Sequence, residues 1–494
     1  MLYVLFVSYS HAQKKIMKKT LSLLVVVLVF SVKMYSQFTV SKTFIRSFTK
    51  AQLDSTLNAN GIPAALAGTV YDIDVYKLVY NTVNYDSSSF TASGLFVVPK
   101  NTTCKHPLMS YAHGSMSSKE DAPSRFNGIE PMVSAITASN GVVSVAPDYL
   151  GLGDGPGLHR YQHAATEATA TIDLIRAARE TCDSLGLQLN GQIFLTGYSQ
   201  GGHAAMAAHK MIQEKIDNEM HVTASVPMSG AYDMSGVMVD VMLSDSVYPS
   251  PSYLAYIVYS WNQMYNLYDT LARPLLSPYD SLMPHWFDGT HGLGWIDGQM
   301  PGIPKSIFKP DTVAAFAADT NHPFRLALKE NDVTNWLPTS PVKMLFCRAD
   351  SYVSWKNSLV CYNKMKALGC TVCDTFNVNE NLEHQACAQF AILNMKSFFD
   401  GLKNIDCSTG LSDDMQSMIK VFPNPVADYV TVSGKGVVIE KAEIVNALGE
   451  TVLSKHVFSN LETSIDVSFL TPAVYSIRLK LEGNEELVRR IIKQ

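Results

Sequence analysis

Short buried strands alternating with amphipathic helices predict an α/β chain on a doubly wound, mostly parallel sheet, and three observations carry that expectation. Apolar runs at 107–112, 142–146, 193–195, 224–228 and 342–347 have the length and hydrophobicity of strands covered on both faces. Helical stretches separate several of them, most clearly 163–179, with Ala, Ile and Leu along one face. The turn Gly197-Tyr198-Ser199-Gln200-Gly201 joins strand 193–195 to a small-residue helix, as a strand-to-helix crossover in such a sheet does.

Composition bounds the rest. Of 494 residues, 47% are hydrophobic and 17% charged, and the net charge is −5, which speaks against nucleic acid or an anionic membrane as partner. The length exceeds one ordinary core, so two or more domains are expected. Lys18 and Lys19 precede the apolar run 23–30, and Ser36 and Gln37 follow, the layout of a secretory signal peptide over 1–36. The run is shorter than the roughly 20 residues a spanning helix needs. Met17, directly before the lysines, is the expected true start, and the mature chain is expected to begin near Gln37. Eight cysteines in an exported chain permit disulfides, and six lie between Cys347 and Cys407. The Cys370-x-x-Cys373 pair has no second pair at zinc-finger spacing, so bridging or burial is expected, with the pairing left open.

Taken in order, Thr49 with Gln52 forms a capping box and Phe48 with Leu53 a hydrophobic staple, predicting a helix over 50–58. Strand-like stretches follow at 72–82 and 91–98, the first alternating as a half-exposed antiparallel strand does. Run 107–112 ends in His113-Gly114-Ser115, and 142–146 leads into Asp148-Tyr149-Leu150-Gly151-Leu152-Gly153. The glycine spacing there is not G-x-G-x-x-G and Pro156 breaks a following helix, so the stretch is a loop rather than a dinucleotide site. Asp148 is expected to bond its own turn. From about 233 to 339 the rhythm stops in a segment rich in aromatics and prolines, read as a mostly helical cap over the strand ends. The sheet resumes at 342–347 and ends at Asp350; a helix at 356–368 and a strand at 371–378 precede His384.

The turn at Ser199 is a G-x-S-x-G elbow, a pattern that a chain of this length shows by chance about one time in seven. Its weight comes from context. Ser199 would be the nucleophile, Asp350 the acid, and His384 the base, since only His384 and His456 follow Asp350 and His456 lies in a separate C-terminal module. The hydroxyl needs a base to remove its proton, and the acid orients that base. The oxyanion would be held by the N–H of Gln200 and an N–H at Gly114 or Ser115. Tyr149 and Tyr198 are the candidate substrate contacts, while His113 is expected only to shape its loop. His159 and His163 are four apart, but Arg160 stands where a zinc motif needs glutamate, so no metal and no cofactor are expected.

Gly-Tyr-Ser-Gln-Gly-Gly-His from Gly197, Asp-Tyr-Leu-Gly-Leu-Gly from Asp148 and the insertion before the acid-bearing strand resemble the secretory lipases of the α/β-hydrolase superfamily, over roughly 71–401. The resemblance implies an α/β-hydrolase fold with a helical cap and hydrolysis of carboxylic esters through an acyl-enzyme. Two other classes compete: a secreted serine peptidase on the same fold, and an inactive cell-surface binding protein. A propeller-like repeat is lacking for the first, and no triad member is missing as the second would suggest. After the catalytic stretch 37–403, residues 404–420 are linker-like. Residues 421–494 open on Val421-Phe422-Pro423-Asn424-Pro425 and close on Arg490-Ile491-Ile492-Lys493. This module resembles the C-terminal sorting domain of the Bacteroidetes type IX secretion system, a small all-β sandwich, with Ala473 where that family has glycine. It implies the type IX machinery as partner, a secreted or cell-surface location, and later removal of the module.

Overall fold

The computed structural model describes residues 37–100, 102–407, 418–434, 436–446, 450–459, 462–481 and 486–494. The expected signal peptide, its Met17 start and most of the expected linker lie outside them.

Strands β1 (Thr39–Phe48), β2 (Ile73–Val83), β3 (Ser89–Pro99), β4 (Lys105–Ala112), β5 (Val143–Pro147), β6 (Gln188–Tyr198), β7 (Ala224–Met228), β8 (Val342–Cys347) and β9 (Cys373–Asn379) form one sheet in the order β1-β2-β3-β5-β4-β6-β7-β8-β9. From β5 to β9 the pairing is parallel, whereas β1, β2, β3 and β5 pair antiparallel. Strand β1 was not expected from the sequence: nearly all its side chains are exposed or half-buried. An edge strand is held by backbone hydrogen bonds to one neighbour and needs no apolar run.

Side chains alternate across the central strands. Ile193 and Leu195 join the core under α4 (Ala164–Leu185) and α5 (Gln200–Met211), while Phe194 between them joins the core under α3 (Glu130–Ser139) and α13 (His384–Asp400). Full burial of each such side chain contributes about 1.5–3 kcal/mol. Helix α1 (Lys50–Ala59) starts at the expected capping box, with Thr49 accepting from the Gln52 N–H, and Phe48 and Leu53 are both buried. The short α2 (Ala64–Ala67) follows it, and α12 (Lys356–Ala367) joins β8 to β9.

Between β7 and β8 the chain leaves the sheet and forms a helical cap: α6 (Val237–Met242), α7 (Ser252–Tyr265), α8 (Tyr279–Trp286), α9 (Leu293–Asp297), α10 (Pro310–Ala318) and α11 (Pro323–Glu330). Most of its aromatics pack. Trp261 is fully buried, and Tyr256 stacks on Tyr161 at 4.5 Å and on Phe287 at 4.4 Å. Three disulfides form, Cys104–Cys407, Cys347–Cys387 and Cys370–Cys373, and Cys182 and Cys361 are buried thiols. Residues up to Cys407 are thus stitched to the start of β4, where Lys105 and Asp406 also exchange backbone hydrogen bonds.

The C-terminal part is all β. Strands β10 (Ile419–Phe422), β11 (Tyr429–Gly434) and β14 (Glu462–Asp466) form one antiparallel sheet; β12 (Ile439–Val445), β13 (Thr451–Ser459), β15 (Ala473–Leu481) and β16 (Glu486–Lys493) form another. Val430, Val432, Ile444, Ile465, Ile477 and Leu479 fill the core they share. Among the described residues no helix is long and apolar enough to cross a membrane.

Candidate active site

Ser199 stands at the tip between β6 and α5 with φ 60° and ψ −119°, a conformation a non-glycine residue adopts only when its surroundings hold it there. Its N–H donates to the Met228 carbonyl at 3.0 Å. The glycines around it are required by close approach: a Cβ on Gly197 would stand 2.3 Å from the Gly201 carbonyl oxygen, one on Gly201 1.9 Å from that of Ala112, and one on Gly202 2.4 Å from that of Met228. Gln200 opens α5, so its N–H is among those at the helix start that have no intrahelical acceptor.

Asp350 follows β8 and is buried. Its Oδ1 accepts from the N–H groups of Tyr352 and Val353 at 3.0 and 2.9 Å, and its Oδ2 lies 2.7 Å from Nδ1 of His384. A carboxylate facing Nδ1 makes that nitrogen the donor and leaves Nε2 free to act as a base. His384 begins α13. Its ring stacks on Tyr352 at 5.1 Å and packs on Tyr198 at 4.9 Å. Two further ties join the same segments. Ser351 donates through Oγ to Glu383 at 2.6 Å, and Cys347 is bonded to Cys387, one turn into α13.

The expected oxyanion residues flank Ser199. A Cβ on Gly114 would stand 3.9 Å from that of Ser199, and Ser115 lines the same pocket as Ser199. The Gly114 N–H, however, already donates to Glu130 at 3.1 Å.

The two tyrosines expected to meet substrate do something else. Tyr149 is buried against the His113 ring at 4.3 Å, and its hydroxyl donates to the His113 carbonyl at 3.2 Å. Tyr198 donates its hydroxyl to the His384 carbonyl at 2.6 Å and so ties down the backbone that carries the imidazole. Neither lines the pocket; a buried phenol finds an internal acceptor, and that acceptor sets which way it points. Asp148 differs too: it accepts from Ser93 Oγ at 2.5 Å and from the Ser124 N–H at 2.8 Å, linking β3 and a distant loop rather than its own turn. His113 shapes its loop, as expected. His163 caps α4, and His159 bonds the Leu150 carbonyl at 2.9 Å and the Gln200 side chain at 3.0 Å.

The pocket before Ser199 is walled mainly by the cap: Met234, Met238, Met242, Leu254 and Ile257, with Tyr161, Tyr248 and Tyr253 as polar points. A second, apolar cavity between α3 and α13 shares none of these residues. Several residues that sequence reasoning passed over support the site from behind. Glu167, buried in α4, accepts from Gln200 at 2.8 Å and pairs with His203 at 2.7 Å; burial opposes the charge on His203, but Glu167 outweighs it and holds the imidazole pKa up. Among the described residues no group of three metal-ligating side chains occurs.

Residues 123–237 match the family model for secretory lipases, and residues 420–494 the model for secretion system C-terminal sorting domains. No curated protein sequence matches the chain. Among solved structures, a Legionella pneumophila protein described as a candidate hydrolase is similar (26% identity, TM-score 0.69, 74% of this chain and 98% of that one). So is the rice cell wall degrading esterase LipA of Xanthomonas oryzae (26%, TM-score 0.67, 74% and 99%). Candida antarctica lipase A, at 14% identity and TM-score 0.57 over 75% of this chain and 84% of that one, shares the fold. The chain thus resembles secretory lipases of the α/β-hydrolase fold, which supports carboxylic-ester hydrolysis. Its C-terminal match supports export to the cell surface or the medium.

Proposed function

We propose that the chain is an exported lipase or esterase that cleaves carboxylic esters with Ser199, His384 and Asp350 through an acyl-enzyme. The observation that carries this is the pairing of a strained, pocket-facing Ser199 with an imidazole bonded at 2.7 Å to a buried carboxylate.

In this reading Ser199 Oγ attacks the ester carbonyl carbon while Nε2 of His384 takes its proton, and Asp350 stabilises the imidazolium. The oxyanion is held by the N–H groups of Gln200 and Ser115; Gly114 is set aside because its N–H is engaged by Glu130. Each donor is worth about 3 kcal/mol of barrier. Collapse breaks the bond to the alcohol oxygen, which leaves with the proton from His384, and water then repeats the sequence to free the acid. The methionine-rich cap wall takes the acyl group. In the division of labour we propose, 1–36 is a signal peptide, 37–403 carries the chemistry, 404–420 is a linker whose first residues, up to Cys407, are stapled back to β4 and whose last enter β10, and 421–494 directs type IX secretion before being cut away.

The test compares p-nitrophenyl acetate, butyrate and palmitate with a panel of dipeptide anilides. Ester turnover that vanishes in Ser199→Ala is expected. Anilide turnover without ester preference would replace this reading with a peptidase.

A further inference from the structure

The loop after β4 is gripped by two side chains to which hydrolysis itself assigns no step, the half-buried Glu130 and the buried His113. Gly114 connects two peptide planes, and each is held. The N–H of Gly114 donates to Glu130 Oε1 at 3.1 Å, and the carbonyl of Gly114 lies 2.6 Å from Nδ1 of His113. A carbonyl oxygen only accepts, so Nδ1 is the donor here, while Nε2 lies 3.3 Å from the Asp148 carbonyl. The ring is itself held by Tyr149 at 4.3 Å.

In a trans peptide the C=O and the following N–H point in opposite directions. Fixing the Gly114 carbonyl toward His113 therefore turns the Ser115 N–H the other way. Glu130 stops the preceding plane from rotating. The point where a Gly114 Cβ would stand is 3.3 Å from Glu130 Oε1 and 3.9 Å from the Cβ of Ser199, so carboxyl and nucleophile flank the same residue.

We propose that Glu130, acting with His113, is a positioning residue that aims the Ser115 N–H at the developing oxyanion. The inference rests on the esterase reading above. Two features of Glu130 fit the task. Its other oxygen, Oε2, is buried with no hydrogen-bond partner among the described residues, so the carboxyl is not there to serve an ion pair. Burial also pushes its pKa up, favouring the uncharged form, which does not repel an oxyanion.

The test uses the full chain, p-nitrophenyl butyrate and a trifluoromethyl ketone that forms a tetrahedral adduct on serine. Glu130→Met keeps the length and removes the acceptor. It is expected to lower kcat about tenfold to hundredfold, less than deletion of a donor outright, with KM within about threefold and ketone affinity falling in step with kcat. Glu130→Gln retains an acceptor oxygen at the same length and is expected to stay within about threefold of the parent. Should the Met variant not fold, Glu130→Ala takes its place. A folded Met or Ala variant with parental kcat, or a Gln variant as slow as the Met one, overturns the proposal. Ser199→Ala is run alongside: if it keeps its activity the esterase reading falls, whereas loss there with parental kcat at Glu130 removes this inference alone.

Discussion

Ser199 and the Asp350–His384 pair are held by opposite means. Around Ser199 the restraints are mostly exclusions: Gly197, Gly201 and Gly202 sit where backbone oxygens leave no room for a methyl group. Around Asp350 and His384, 34 residues apart, the restraints are attachments: the 2.7 Å imidazole–carboxylate bond, the Ser351–Glu383 bond, the Tyr198 hydroxyl on the His384 carbonyl, and the Cys347–Cys387 bridge. The elbow is therefore broken by adding atoms, and shows it as lost stability. The arm is broken by removing them, and shows it as lost rate.

The largest expected effect cuts across both. Ser199→Ala should lower kcat by about 10⁴–10⁶ with an unchanged unfolding midpoint, since it removes an oxygen and adds no bulk. Asp350→Asn should cost about 10⁴ in kcat at little cost in stability, because an amide can donate to Nδ1 and stabilise the wrong tautomer; a drop below tenfold would mean that the arm does not orient the base.

Two double variants separate local tethering from general stapling. Cys347→Ser with Cys387→Ser removes a bridge across 40 residues, and Cys104→Ser with Cys407→Ser one across 303. On the chain-entropy argument these cost about 4 and about 6 kcal/mol. The first should also reduce kcat at temperatures where the protein stays folded; the second should not. Equal effects on kcat would erase the distinction.

Gly201→Ala should destabilise by about 3 kcal/mol in a denaturant titration, since its Cβ would stand 1.9 Å from a backbone oxygen that cannot step aside. An unchanged midpoint would show that the elbow is not held by exclusion.

The last effect is absent at neutral pH and appears only in acid. His159, against Gln200, and His209, in α5, are both pushed down to about 3 by burial, so they stay neutral while the unfolded chain takes up protons near 6.5. Their contribution is complete above about pH 6.5 and is lost as pH falls toward 3. His159→Gln with His209→Gln should flatten the acid limb of a stability–pH curve, and an unaltered limb would remove the argument.

Much of this was legible without coordinates. The capping box at Thr49 and the elbow at Ser199 depend on a few consecutive residues, so local chemistry is enough to find them, and the proposed order serine, acid, histidine was read from position past a strand. Strand β1 escaped because an edge strand needs no apolar pattern. Tyr149 and Tyr198 were misjudged for a related reason: proximity to Ser199 in sequence places a backbone, but the direction of a phenol depends on which acceptor reaches it.

By itself, then, the chain determined the sheet's alternating rhythm, the elbow and its glycines, the helical cap and the β-rich C-terminal module, all set by short-range periodicity and sterics. Only the tertiary structure decided that Glu130 takes the Gly114 N–H, that Cys347 pairs with Cys387, and that Glu167 stands beneath Gln200. Those are choices among partners distant in sequence. A buried polar group must find one, but nothing in its own neighbourhood says which segment packing will bring to it.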